Sequence, residues 1–552
     1  MDKTCRATLL LIVHFFRRFF DNDTIQVEGD TLTTIVRAIS VVAVPGLIIA
    51  FFLQNQYPGR PLWGAIEDQY FFVLFSFVVM GAVSIFEWEM LFPDRLDFLI
   101  LSPLSLKPIQ MLAAKAVALT GFLALFLAAG NLFGTLLLPA VSKGHFFRQV
   151  YAHGIAVLLA GIFAALFFLA LGGALLCVLG AARFRVASPI MQMLSITGLV
   201  LLMLQYATYG DSMHALLSQP LGMARWMPPI WFLGIYEQLL RGDAAPAFAR
   251  EMARYALRGT VIVGGVAVLA YPLAWIRMRK MAFEGAPRRR GQPSRWLARL
   301  IHTIIRRPEQ RAAFHFIGQT IARNNRYQVY LAMYCGTGLA LAVACAVTFH
   351  VHDGSLQPML SNKGLHAMMP LLLFWVIAGL RTAFAFPLNL SAGWVFRITG
   401  VNIAECAAAA RRWVFLCAMS VMCGILAALR VTGWDVRHLL VQAVCGLCLC
   451  ILLTDGFFLF QPSMPFNQPR MPGKTSLPLM LTLYVGVFPP FIFGVIYMET
   501  QMEKDMGKLL LLGVVTAVIH AALVMLRGKS VEVEEEMEGY EGEFQLLGLS
   551  WR

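Results

Sequence analysis

Residues 153–180 read HGIAVLLAGIFAALFFLALGGALLCVLG, a run without one Asp, Glu, Lys or Arg. At about 1.5 Å per helical residue, a run of this length crosses the roughly 30 Å hydrocarbon core of a bilayer. Lipid offers the backbone no hydrogen-bond partners, so such a segment satisfies its own N–H and C=O groups as a helix. Comparable runs recur at roughly 33–53, 68–90, 111–138, 186–208 and 256–276, and again at 327–349, 367–385, 412–430, 438–460, 477–498 and 507–527. About twelve spans in 552 residues leave little chain for a water-soluble domain. The composition agrees: 59% of residues are hydrophobic and 14% charged, with a mean hydropathy of +0.68, where soluble domains carry about 25% charged residues. The expected fold class is all-α, a polytopic integral membrane protein. A cytosolic enzyme, a secreted disulfide scaffold and a nucleic-acid binder do not fit.

The net charge of +14 is concentrated rather than spread. Residues 277–326 hold thirteen Lys or Arg against only Glu284 and Glu309. Such a segment between two hydrophobic blocks belongs on the cytoplasmic side, against anionic lipid. The expected organisation is an interfacial elbow helix in 1–30, a first six-span unit at 31–276 and the basic linker at 277–326. A second six-span unit follows at 327–527, with an acidic tail at 528–552. An even number of spans in each half puts the N-terminus, linker and C-terminus in the cytoplasm. Residues 8–21, TLLLIVHFFRRFFD, set His14, Arg17, Arg18 and Asp21 on one face of an otherwise apolar helix, the pattern of a helix lying in the interface.

Little in the chain reads as catalytic. Pro472 to Ser476 spell PGKTS, but a phosphate loop needs glycine five residues before its Gly-Lys pair, and position 468 is Gln. The string Gly210-Asp211-Ser212-Met213-His214 lacks the second glycine of a nucleophile elbow. The ten cysteines sit almost wholly in apolar runs and read as small packing residues. His350, His352 and Asp353 read as loop-end residues rather than metal ligands, so no metal or catalytic residue is expected.

Ionisable residues in or beside spans are the remaining candidates, because charge in lipid is expensive. Glu87, Glu89 and Arg381 fit the headgroup level, and Arg37 belongs to the same set. Asp455, in LLTDGFF, is a candidate for a gate or pathway. Between spans five and six, Trp226, Pro228 and Trp231 belong to an aromatic, proline-bearing segment that reads as an outer interfacial or re-entrant element and a gate candidate.

The two halves share a weak echo. The loop after span two, LFPDRLDFLILSPLSLKPIQMLAAKAVAL, and the stretch after span eight, AFPLNLSAGWVFRITGVNIAECAAAARRWVF, match at Phe92-Pro93 with Phe386-Pro387. Ala113-Ala114-Lys115 likewise matches Ala409-Ala410-Arg411 with a two-residue slip. A repeat of even span number relates the halves by an axis along the membrane normal. In the first loop Asp94, Arg95 and Asp97 bring charge, while Leu99, Ile100, Leu101 and Leu104 bring an apolar face suited to a partner's groove.

An amphipathic helix before span one, the loop FPDRLDFLILSPLSLKPIQMLAAK at 92–115, six spans, and an outer element between spans five and six together resemble the type-2 ABC exporter permeases. In that family the first feature is the elbow helix, and the loop carries a Leu-rich stretch, a Ser/Thr-Pro and then a Lys entering span three. Leu99, Leu101, Ser102, Pro103, Leu104 and Lys115 match that pattern. The resemblance covers about the first 280 residues moderately well and the second half weakly. It implies a transmembrane subunit in the bacterial inner membrane, coupled at this loop to a separate nucleotide-binding ATPase that alone holds ATP and magnesium. A second, weaker coupling site falls at Trp394 to Arg397. Family members are commonly six-span chains that dimerise, so two halves in one chain would make a pseudo-dimer. An ATP-independent carrier and a membrane enzyme for lipid-linked substrates are the alternatives.

Overall fold

The computed structural model describes residues 3–20, 31–54, 57, 59–88, 90–91, 95–101, 103–104, 106–142, 144–206, 213–218, 223–284, 303, 305–352, 355–385, 403–459, 465–466 and 477–538. The protein is an all-α, multi-pass membrane protein. Eleven of its described helices are long and apolar enough to cross a bilayer. The expected first span lies in a helix at Thr31–Gln54 whose apolar part, Ile39–Leu53, is shorter than the others. The chain divides into two compact units: residues 1–290 with 339–361, and residues 291–338 with 362–552. One boundary falls at 290/291, inside the basic linker, and the others at 338/339, inside the seventh span, and at 361/362.

The first unit begins with α1 (Lys3–Phe20), whose Arg17 and Arg18 in the last turn complement the helix dipole. Its apolar face is buried through Leu11, Phe15, Phe19 and Phe20, while Leu9, Leu10 and Val13 are exposed. Then come α2 (Thr31–Gln54), α3 (Leu62–Phe86), the short α4 (Arg95–Leu101) and α5 (Pro108–Val141). Beyond Glu67, Asp68 and Gln69 in its second turn, α3 is apolar around its circumference and forms the centre of this unit, burying Tyr70, Leu74 and Met80. Phe19 and Phe20 close on Phe122 of α5 at ring separations of 4.8 and 5.3 Å, which docks the amphipathic helix to the third span.

Between α6 (Phe146–Gly180) and α7 (Val186–Leu204) the chain turns at Gly180, with φ 69° and ψ 171°. A side chain there would be strained, so glycine sets the boundary between spans four and five. After the short α8 (Met213–Ser218) come α9 (Pro228–Arg241) and α10 (Ala247–Glu284). α9 is fourteen residues long, about 21 Å, and does not span. It is nonetheless packed on α10 at Gly234, where an added Cβ would stand 2.5 Å from Met252 Cβ and 2.8 Å from the Ala249 carbonyl oxygen.

The second unit contains α11 (Pro308–Arg323), most of α12 (Asn325–Ala346), α13 (Asn362–Ala385), α14 (Ile403–Val431), α15 (Val436–Phe457), α16 (Leu477–Lys504) and α17 (Met506–Glu538). Two local expectations change. The seventh span stops at Ala346 and an antiparallel hairpin follows, β1 (Val347–His352) paired with β2 (Ser355–Leu360). Its sequence signal is the alternating VTFHVH followed by Asp-Gly at 353–354. The helix that holds the expected span 477–498 continues to Lys504, and α17 starts at Met506. Glu499 sustains that extension by finding partners inside the unit, His366 and Gln442.

Candidate functional site

The loop between the second and third spans is built around one buried carboxylate. In α4, RLDFLIL, the side chains of Asp97, Phe98 and Leu101 turn inward, at 2%, 2% and 9% exposure, while Ile100 is 65% exposed. Asp97 Oδ2 accepts a hydrogen bond from Lys115 Nζ of α5 at 3.2 Å, and Oδ1 pairs with the guanidinium of Arg18 on α1. The Lys115 ammonium also lies over the Phe15 ring, 5.3 Å from its centroid. Phe98 stands edge-on against Trp275 of α10 at 5.2 Å. Three elements of the first unit, α1, α5 and α10, are thereby fastened to a seven-residue helix, with two cations compensating a carboxylate whose burial would otherwise be expensive. Between α1 and α4 lies a cavity of about 510 Å³ lined by Leu10, Leu11, His14, Ile100, Leu101 and Leu106 as well as Arg18 and Asp97.

This placement redistributes the roles expected of the loop. Asp97 and Lys115, eighteen residues apart, do meet, and Arg18 from the polar stripe of α1 joins them. Asp97 is buried instead of presenting charge, and Leu101 lines the cavity and packs inward instead of facing a partner. The reason is helical spacing: Asp97 and Leu101 are i and i+4, so they share the face that Phe98 and the two cations hold against the spans. The outward apolar surface is Ile100 and Leu104, 53% exposed, beside exposed Pro103. Arg95 and Leu99 lie in the helical backbone of α4. Asp94, Ser102, Trp394 and Arg397 lie outside the described residues.

Asp455 occupies the last turn of α15 and is 4% exposed. Its Oδ1 pairs with Arg527 Nη2 at 2.9 Å, its Oδ2 meets His520 Nδ1 at 2.5 Å, and its backbone carbonyl also accepts from Arg527. His520 and Arg527 are i and i+7 on α17, two turns apart on one face, which is the sequence signal that identifies them as a pair. Arg381 donates from Nε to the Phe457 carbonyl at 2.8 Å.

Of the gate candidates, Trp226 is 86% exposed, Pro228 opens α9, and Trp231 donates its indole N–H to the Arg225 carbonyl at 3.0 Å. The functional-looking group on α9 is one that the sequence did not single out. Glu237 is fully buried, 2.6 Å from Arg241 Nε. Burial pushes its pKa up to about 7 against the partial opposition of Arg241. Close to the start of α3, Asp68 accepts two hydrogen bonds from Arg60, at 2.8 and 2.9 Å, and one from Tyr57 at 2.9 Å.

Compared with known protein families, curated proteins and solved structures, the chain matches none.

A second polar cluster in the second unit also escapes the sequence. His366 Nδ1 in the first turns of α13 lies 3.0 Å from Glu499 Oε1 and 3.4 Å from Glu503 Oε1, both on α16. Gln442 Nε2 on α15 contacts His366 Nδ1 at 3.3 Å and reaches Glu499 Oε1 as well. The i, i+4 spacing of the two glutamates is the only trace in the sequence. Their histidine is 133 residues away, a separation that no motif spans.

Proposed function

We propose that the chain is the transmembrane permease subunit of an ABC-type exporter, without an ATPase domain of its own, acting with a separate nucleotide-binding subunit. The observation that carries this reading is the Arg18–Asp97–Lys115 cluster. A soluble ATPase biases membrane helices only through contacts that differ between its nucleotide states. α4 suits that task because its outer face is apolar at Ile100, while its inner face is locked to α1 and α5 through Asp97 and to α10 through Phe98. A push on α4 is therefore delivered to the interfacial helix and to two spans together. The basic segment 277–326 belongs against anionic lipid on the cytoplasmic side of a bacterial inner membrane, with both termini on that side. In intact cells a thiol reagent from outside should reach a cysteine placed at 242 and miss one at 290.

The test is purification of the tagged chain in mild detergent, with identification of what accompanies it. A nucleotide-binding ATPase should co-purify, and hydrolysis should need both chains. ATP hydrolysis by the rigorously purified single chain, abolished by Lys474→Ala, would overturn the reading. A second reading, an ATP-independent carrier, draws on the Asp455–His520–Arg527 cluster, an ionisable group set among spans of the kind that carriers use. Uptake into proteoliposomes driven by an ion gradient without ATP, and lost in Asp455→Asn, would favour it.

A further inference from the structure

We propose that His366, Glu499 and Glu503, completed by Gln442, form a divalent-cation site of the zinc type where α13, α15 and α16 meet in the second unit. The inference is independent of the permease reading. One ligand atom from each of the three ionisable residues falls within 4.8 Å of the others. The distances from His366 Nδ1 to the two carboxylate oxygens, 3.0 and 3.4 Å, are close to the roughly 3.3–3.6 Å edge of a tetrahedron whose zinc–ligand bonds are 2.0–2.2 Å. Imidazole and carboxylate are the donor types that zinc and its neighbours take.

Three further observations point to a cation rather than to a self-contained ion pair. The first is charge. Among the described residues no Lys or Arg lies within ion-pair distance of either glutamate, and His366 supplies at most one positive charge against two carboxylates. Glu499 is 3% exposed, so the surplus is not left to water. The second is Gln442, which is 1% exposed and has its amide against the cluster, while its Oε1 accepts no hydrogen bond. A half-turn of the amide exchanges Nε2 for Oε1 and would direct a neutral oxygen donor at the ion. The same half-turn gives up the Nε2 hydrogen bond to Glu499 and sets Oε1 against the carboxylate, an arrangement that a cation between the two oxygens would satisfy. The third is access and support. The His366 and Glu503 side chains are 18% and 23% exposed, which leaves an entry route, and Trp434 packs on the imidazole at 4.5 Å and holds its orientation. An ion here would tie together the ends of three helices.

The experiment uses the full chain in detergent, stripped with a chelator and titrated with Zn²⁺ against a chromophoric competitor. Because cysteines also take zinc, the titration is repeated with Co²⁺, whose absorption separates nitrogen and oxygen coordination from thiolate, including that of nearby Cys445. One site per chain without thiolate character is expected, with Zn²⁺ raising the melting temperature. Glu503→Ala, at the most exposed ligand, should melt like wild type in chelator and bind at least ~10-fold more weakly, the loss that even supporting residues of a metal site produce. His366→Ala should abolish the site; if that variant does not fold, Glu503→Ala decides alone. No saturable binding by wild type, a thiolate spectrum at the tight site, or unchanged affinity in Glu503→Ala would each overturn the proposal.

Discussion

Replacing Asp97 by Ala takes one carboxylate from two cations at once. Lys115 has a side chain only 3% exposed, its Nζ lies 3.2 Å from Asp97 Oδ2, and Arg18 pairs with the other oxygen. Removing one partner of a buried pair costs about 3–5 kcal/mol, because the remaining charge keeps its desolvation penalty without the attraction that offset it. Lys115→Met alone should be milder, since Asp97 keeps Arg18 and the methionine stem fills the same apolar path past Phe15. The double variant Asp97→Ala with Lys115→Met removes both members of the pair. It should therefore be more stable than the sum of the single losses, by a coupling of about 1–3 kcal/mol. The measurement is a double-mutant cycle on unfolding in mixed detergent micelles, read by Trp fluorescence, with Trp275 beside Phe98 as a local reporter of α4. An Asp97→Ala loss below about 0.5 kcal/mol, within the range of ordinary surface changes, would refute the account of α4 as held by this carboxylate. Additivity in the cycle would refute the claim that Asp97 and Lys115 act as a pair.

Leu101→Asp should destabilise by about 3–5 kcal/mol because it buries an unpaired carboxylate, whereas Ile100→Asp and Leu104→Asp should melt like wild type and lose stimulation of a co-purified ATPase; full stimulation in both would put docking elsewhere. Gly234→Ala should lose about 1–3 kcal/mol through overpacking of α9 on α10, since its Cβ meets the Ala249 and Ala253 backbones at 2.8 Å; a neutral result in unfolding would mean that the two helices are not in tight contact. Glu237 has its folded pKa raised from 4.5 to about 7, so its contribution to stability is full below 4.5 and is lost as pH rises to about 7. The loss, about 3 kcal/mol over that window, should be absent from Glu237→Gln, and equal pH slopes for the two proteins would refute the burial argument.

The all-α, multi-pass architecture and eleven of the twelve expected spans were legible in the sequence because they depend on local quantities: the apolar length needed to cross lipid, the glycine and proline breaks between runs, and the polar stripe on α1. Even the break at Gly180 sits where the apolar run ends. Half of the candidate site was legible in the same way, since Asp97 and Lys115 flank one loop and Arg18 lies on the charged face of the preceding helix. Which way Asp97 and Leu101 point was not. That choice belongs to whichever face of α4 finds partners, and the partners come from α1, α5 and α10, up to about 180 residues away along the chain. The same holds more strongly for His366, Gln442, Glu499 and Glu503. Each is an ordinary polar residue near a helix end, and only the packing of α13, α15 and α16 gives the four a common centre. A membrane sequence specifies its helices one at a time through the solvent that surrounds them, but charges buried between helices are positioned by neighbours that local periodicity does not encode.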